Sequence, residues 1–245
     1  MYSISEVIVL FPTLIGMIAF GFLLSHFVLK DKSDKVKNIP FLCISSILLI
    51  LEVIKQVRLI IIDDWSWWSF PLHFCSLFML WFSLDSFGKG KVKKFGQTLS
   101  FVSCVWFILL FYIGPQGIIG DACKNVFASF STFHTFFYHQ FIVLYFIFMV
   151  CLRTYKCDLK RDIIYSIIAY TIFAVCAITL GNITQTNYTN VLHSNIPFMQ
   201  ALLDKCGYVI YLIVFYIAGI GLPSLVVFIT HLIQNKGVKK NDSNQ

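Results

Sequence analysis

Three side chains in this sequence have the types needed for nucleophilic and acid–base chemistry and sit in apolar surroundings. His73 and Cys75 lie in "WSWWSFPLHFCSLF", residues 65–78, and His139 lies in "STFHTFFYHQ", residues 131–140. A thiol attacks as its thiolate, and a histidine within reach can take the proton and later return it to a leaving group. Cys75 is therefore a candidate nucleophile, with His73 and His139 as candidate bases. Pro71 is expected to open a helix. Residues two apart on a helix point about 200° apart, so His73 and Cys75 face opposite ways unless the proline distorts the first turn. That makes His139, from another helix, the natural partner for the thiol. The plain alternative is that Cys75 is one small packing residue among eight cysteines.

A second polar group stands in "LEVIKQVRLI", residues 51–60. Lys55 and Gln56 are i+3 and i+4 from Glu52, so the three share a helix face. Glu52 and Lys55 either neutralise each other as an internal ion pair or help to hold a substrate. Arg58, nearly a third of a turn away, either reaches the membrane surface or grips a lipid phosphate as a bidentate fork. In residues 131–140, Thr132, Thr135 and His139 form one stripe. His134 lies off it and is expected as an interfacial histidine.

The remaining cysteines carry less. Cys43, Cys104, Cys151 and Cys176 read as packing residues, and Cys123 and Cys206 fall on one side of the membrane, where a disulfide is possible. No CxxC or HExxH spacing accompanies the histidines, so neither a metal nor a cofactor is expected.

The elements that must position these groups are membrane helices. Of 245 residues 58% are hydrophobic and only 13% charged, against roughly a quarter charged in a soluble domain. Seven apolar runs are each long enough to cross about 30 Å of hydrocarbon as helix. They lie near 6–29, 39–62, 71–87, 96–113, 128–152, 162–181 and 207–233. Their continuous rather than alternating apolarity argues against strands. "MYSISEVIVL" lacks the basic start of a cleavable signal and reads as part of a retained span.

The net charge is +7, which alone would suggest a nucleic-acid partner. The lysines and arginines instead cluster between alternate spans. They are Lys30, Lys32, Lys35 and Lys37, then Lys89, Lys91, Lys93 and Lys94, then Arg153, Lys156, Lys160 and Arg161, and last Lys236, Lys239 and Lys240. Only Lys124 and Lys205 lie in the opposite loops. The asymmetry sets those clusters in the cytoplasm and the N-terminus outside, and no nucleic acid is expected. The fold class is an all-α polytopic bundle of seven transmembrane helices, with one domain over 1–235 and a short basic and polar cytoplasmic tail at 236–245. Trp65, Trp67 and Trp68 then form an outer aromatic belt. The inner halves of the helices read as plain Leu, Ile, Phe and Val, so ionisable residues gather in the outer half and imply a polar cavity there.

"PLHFCSL" opening the third span, the histidine within "FFYHQFIVLY", and "TNYTNVL" before the last span together resemble the bacterial YwaF-type integral membrane proteins. That family is grouped with the animal transmembrane-protein-164 acyltransferases, and it is similar to the androgen-induced membrane hydrolases, which use a Thr and a His in a small helical bundle. The resemblance runs from about the second span to the last. It implies a multi-pass protein of the cell membrane that moves fatty acyl chains between phospholipids. The animal enzymes place a cysteine directly before the histidine; here that position is Leu72, so His73 carries over by position and Cys75 only by offset. Asn187 and Tyr188 match the family's Asn-Tyr pattern, although Thr189 stands where Met is usual. Abundant Lys, Ile and Phe suit a bacterium with an AT-rich genome.

Two functions follow. In the first, Cys75 attacks a phospholipid ester, and His139 or His73 acts as base. Arg58 or Lys55 holds the phosphate, and Asn187 and Tyr188 donate to the oxyanion. Water in place of an acceptor gives hydrolysis. In the second, Glu52, Lys55 and the histidines form a proton relay or solute site in a small transporter or lipid-binding protein. The odd number of spans and the lack of an internal repeat disfavour a transporter.

Overall fold

The computed structural model describes the backbone of residues 4–194 and 196–242, and side chains for 7–120, 122–194 and 196–235. Every regular element among the described residues is helical. Helix α1 (Ile4–Leu23) continues as a π-helix over Leu24–Leu29. There follow α2 (Ile39–Ile61), α3 (Leu77–Ser86), α4 (Gly90–Ile113) and α5 (Phe130–Cys151). The chain ends with α6 (Leu159–Thr184), α7 (Pro197–Cys206) and α8 (Tyr208–Asp242).

Among the described residues, five stretches are long and apolar enough to cross a membrane: Val7–Leu29, α4, α5, α6 and Tyr208–Asn235. Two expected crossings stand apart from these. Helix α2 has the length, but it carries Glu52, Lys55 and Arg58. The apolar helix over Phe74–Ser86 is shorter than the rest. Helix α4 begins at Gly90 rather than near 96, and the backbone of α8 continues to Asp242, into the segment expected as a tail. The side chains of 236–245, Lys236, Lys239 and Lys240 among them, lie outside the described residues.

Outward faces confirm the solvent these helices need. Ile15, Ile61, Ile113, Ile183 and Ile233 are each more than three-fifths exposed. Large apolar side chains displayed on every long helix are stable in lipid and costly in water.

Helix ends show local sequence logic. Helix α5 opens with a capping box: Ser129 Oγ accepts from Thr132 N at 3.1 Å, and Thr132 Oγ1 accepts from Ser129 N at 3.1 Å. Thr132 is thereby committed to the cap rather than to the stripe it was expected to share with His139. Asp158 caps α6 by accepting from Arg161 N at 3.0 Å.

The chain divides into two compact units. The first takes residues through Trp65 together with Phe78–Tyr155, and the second takes Ser66–Leu77 with the chain from Lys156 onward. In the first, α5 packs against α1, α2 and α4. Phe78, Phe82, Phe107, Phe111, Tyr145 and Phe148 fill its core. Tyr145 lies flat on Phe82, with ring centres 3.6 Å apart and 5° between planes. Helix α4 meets α3 backbone to backbone at Gly96, where an added Cβ would fall 2.3 Å from Asp85 N and 2.5 Å from Leu84 C. Small residues permit such close crossings in membranes. Gly96→Ala is therefore expected to destabilise the protein by about 3 kcal/mol, the upper end of the overpacking range, read as thermal unfolding in detergent. Unchanged stability would mean that the crossing is loose. In the second unit, α6 and α8 pack along one another, with a Thr171–Tyr216 hydroxyl pair at 2.9 Å inside the seam.

The structure corrects one sequence expectation that bears directly on the site. Pro71 does not open a helix. His73 is extended at φ −78°, ψ 153°, Phe74–Ser76 form a single 3-10 turn, and α3 begins only at Leu77. The residues around Pro71 instead fold as a short irregular segment of the second unit.

Candidate functional site

His73 and Cys75 sit in that segment, and the argument that a helix turns them about 200° apart does not hold there. Both are half-buried. His73 Nε2 lies 3.0 Å from the Trp68 carbonyl oxygen. A carbonyl only accepts, so Nε2 carries the proton and Nδ1 is the basic nitrogen of the neutral ring. The ring is wedged between Trp68, at 4.4 Å edge-on, and Tyr188, at 5.4 Å. This fixes one tautomer and one orientation on an otherwise irregular stretch.

Tyr188 is the anchor of this arrangement. It is fully buried, and its hydroxyl donates to the Trp67 carbonyl. Burial pushes the phenol above its ordinary pKa, so it stays a donor. Tyr188, Val191 and Ala177 form a small core against which Phe70 and Leu72 pack. The loop that presents Tyr188 is tightly wound, with Thr189 at φ 52° and Asn190 at φ 65°. Asn187 closes it: its Oδ1 accepts from Leu192 N at 2.8 Å and His193 N at 3.2 Å, and its Nδ2 donates to His193 O at 3.0 Å. The two residues matched by the "TNYTNVL" resemblance thus build the loop that holds Trp67, Trp68 and His73. Tyr188→Phe is expected to cost about 1–3 kcal/mol by stripping the Trp67 carbonyl of its donor. Near-ultraviolet circular dichroism should report the loosened tryptophans, and an unchanged spectrum and stability would contradict the anchoring role.

The other candidates belong to the first unit, on α2 and α5. Glu52 is buried, and its Oε1 lies 2.7 Å from Lys55 Nζ and 2.7 Å from Gln56 Nε2. Gln56 Oε1 in turn accepts from Trp65 Nε1 at 2.9 Å. Arg58 places its guanidinium 5.4 Å above the Phe130 ring, tying the end of α2 to the start of α5.

His139 is 5% exposed and stacks on Phe107 and Phe111, with 12° and 14° between planes. Its Nδ1 is 2.5 Å from the Thr135 carbonyl, which leaves Nε2 as the basic nitrogen. That Nε2 is buried without a partner. His134 was expected at the interface, but it is equally buried, stacks on Tyr138, and also leaves Nε2 without a partner. Packing explains the difference. Helix α5 meets three other helices, so two faces well over a third of a turn apart are both covered. Gln140 adds a buried amide with neither atom paired. Buried polar atoms without partners are rare in native structures, and three neighbouring residues of one helix carry them here.

One polar cluster escaped the sequence reading altogether. Asp85 is 4% exposed and accepts from Tyr145 Oη at 2.7 Å. Beside it Ser86 Oγ donates to Ser45 Oγ at 2.8 Å, Asn38 Nδ2 donates to Ser86 O at 2.9 Å, and Lys93 Nζ reaches Asn38 Oδ1 at 2.9 Å. Polarity is therefore not confined to the end of the bundle that holds Glu52 and the histidines. This cluster joins the start of α2, the end of α3 and the start of α4 to Tyr145 in the middle of α5, and most of its residues lie near helix ends. The one available signal was a lone Asp at the end of an apolar run.

Among the described residues no three His, Cys, Asp or Glu side chains gather as metal ligands. Cys123, which is buried, and Cys206, which is exposed, are not joined in a disulfide.

Over residues 1–230 the chain matches the model of the TMEM164 family. No curated protein and no solved structure matches it.

Proposed function

The chain belongs to the TMEM164 family, and from that premise we propose that this multi-pass membrane protein is a lipid acyltransferase, with hydrolysis as its side reaction. We place it among the bacterial YwaF-type members and in the cell membrane. In this reading α2 and the short helix over Phe74–Ser86 complete seven crossings, the second of them as a thin or tilted one. The basic clusters lie in the cytoplasm and the N-terminus outside.

The observation that carries the proposal is the state of the histidines. His73 and His139 each give one ring nitrogen to a backbone carbonyl, which presets the other as a base. This is what proton transfer needs, and it is an arrangement that mere packing does not demand. Cys75 supplies the nucleophile. Its thiolate adds to a phospholipid ester carbonyl, a C–S bond forms, and the C–O bond to glycerol breaks. The histidine that took the thiol proton returns it to the leaving alkoxide. An acceptor hydroxyl then reverses the sequence on the thioester, or water hydrolyses it. Lys55 and Arg58 are proposed to meet the lipid phosphate, with Glu52 holding Lys55 in place. Asn187 and Tyr188 shape the substrate side of the His73 loop. To donate to an oxyanion, either would first have to release its backbone partner.

The test uses the purified protein in proteoliposomes with acyl-labelled phospholipid and a lysophospholipid acceptor. Label should move to the acceptor without proton or solute flux across the vesicle wall. Flux without label transfer would overturn the proposal in favour of a transporter that uses Glu52 and the histidines as a relay.

A further inference from the structure

A cavity of about 550 Å³, lined by none of the candidate site residues, lies in the first unit where the π-helix over Leu24–Leu29 meets the end of α5. Its volume falls in the range of ligand pockets. The lining includes Phe22, Ser25, His26, Lys30, Lys37 and Arg153. Three cationic side chains from two sequence-distant clusters thus line one space, together with the ring of Phe22. Asp31 and Asp34 are close in sequence but do not line it.

Two further features mark it as built rather than incidental. Ser25 is 4% exposed, and its Oγ is buried without a hydrogen-bond partner. This is an unspent donor on the wall of a cationic pocket. Arg153 holds φ 50° at the position where glycine usually ends a helix. The turn is complete around it: Thr154 N donates to Met149 O at 3.2 Å, and Arg153 N donates to Val150 O at 3.2 Å. A left-handed arginine costs on the order of 1 kcal/mol or more, so its side chain is kept here against the backbone's preference.

We propose that this pocket binds the phosphomonoester headgroup of an anionic membrane lipid. The helix ends that border it are C-termini, each worth about half a negative charge. Three full positive charges outweigh them. Arg153 offers a planar fork to phosphate oxygens, Lys30 and Lys37 neutralise charge, and Ser25 Oγ donates. Phe22, on the lining and itself more than half exposed, offers an apolar surface to the acyl chains. The inference does not rest on acyl transfer, because its readout is lipid retention rather than turnover.

The test extracts the full-length protein from phosphatidylcholine vesicles containing phosphatidic acid and measures retained phosphatidic acid by native mass spectrometry. The double variant Lys30→Gln/Lys37→Gln should retain about thirty-fold less, given the worth of each basic residue against anionic lipid. The exposed pair Lys91→Gln/Lys94→Gln should match the parent. Arg153→Gly relieves the backbone, so it should keep or raise thermal stability while losing lipid about as severely. That variant separates binding from misfolding. Equal retention by the parent and Lys30→Gln/Lys37→Gln would overturn the proposal, as would an equal loss in Lys91→Gln/Lys94→Gln. A second arm titrates inorganic phosphate into the protein in pure phosphatidylcholine vesicles and follows thermal stability. No shift is expected. A saturable shift that Lys30→Gln/Lys37→Gln removes would assign the pocket to a soluble anion and overturn the lipid.

Discussion

Cys75→Ala is expected to abolish acyl exchange, while the parent protein and each other single cysteine-to-alanine variant remain active. Loss of an enzyme's nucleophile removes the covalent route altogether, and the fall can exceed a thousandfold. Cys75 is half-buried in a 3-10 turn, so truncating it to alanine should leave unfolding temperature nearly unchanged. The two histidines then separate by magnitude. The one that acts as general base should cost about 10²- to 10⁴-fold on change to alanine; the other should act mainly through structure. His73→Ala also removes a ring between Trp68 and Tyr188, so its rate has to be read beside the tryptophan spectrum. His139→Ala opens a void between Phe107 and Phe111. His139→Gln fills more of that void and is the better control. Unchanged turnover in Cys75→Ala, or in both histidine variants, would remove the mechanism.

Glu52→Ala is expected to destabilise the protein by about 3–5 kcal/mol. The substitution strands Lys55, whose ammonium has its carboxylate partner 2.7 Å away and is only about a quarter exposed. It also strips Gln56 Nε2 of its acceptor. Breaking one side of a buried pair leaves an uncompensated charge, whereas removing both sides can be neutral. Glu52→Leu/Lys55→Leu should therefore recover most of the lost stability. This double variant also decides what the pair is for. If Lys55 meets the substrate phosphate, the double variant folds but shows a KM raised about ten-fold with kcat little changed. Full activity would reduce the pair to a structural ion pair.

Much of this was legible in residue order, for reasons that differ between elements. Long apolar runs announce membrane helices because lipid admits little else, and the apolar stretches Val7–Leu29, α5, α6 and Tyr208–Asn235 fall close to their expected limits. The Glu52, Lys55 and Gln56 contacts follow from i, i+3 and i+4 spacing, which any regular helix enforces. The failures are tertiary. "SFPLHFCS" has the apolarity of a span, but a proline and two neighbouring aromatic anchors let it pack as an irregular turn, and hydropathy does not register that choice. Helical spacing gives one face at a time, so it does not register that α5 is covered on several faces and buries His134 as well as His139. Asp85 was passed over because a charged residue near a helix end looks solvated unless its partner, Tyr145, is known to lie 60 residues away in sequence. The amide of Asn187 was read as available for catalysis, and only coordinates reveal that three backbone groups already use it.

The proposed acyl transfer depends on a thiol that carries an acyl group. The direct measurement is to incubate the protein with phospholipid bearing a labelled acyl chain, quench in acid during turnover, digest, and map the label by mass spectrometry. The account predicts a hydroxylamine-sensitive thioester on the peptide containing Cys75, absent from Cys75→Ala. Labelling that persists in Cys75→Ala, or a thioester found on another of the eight cysteines, would contradict it.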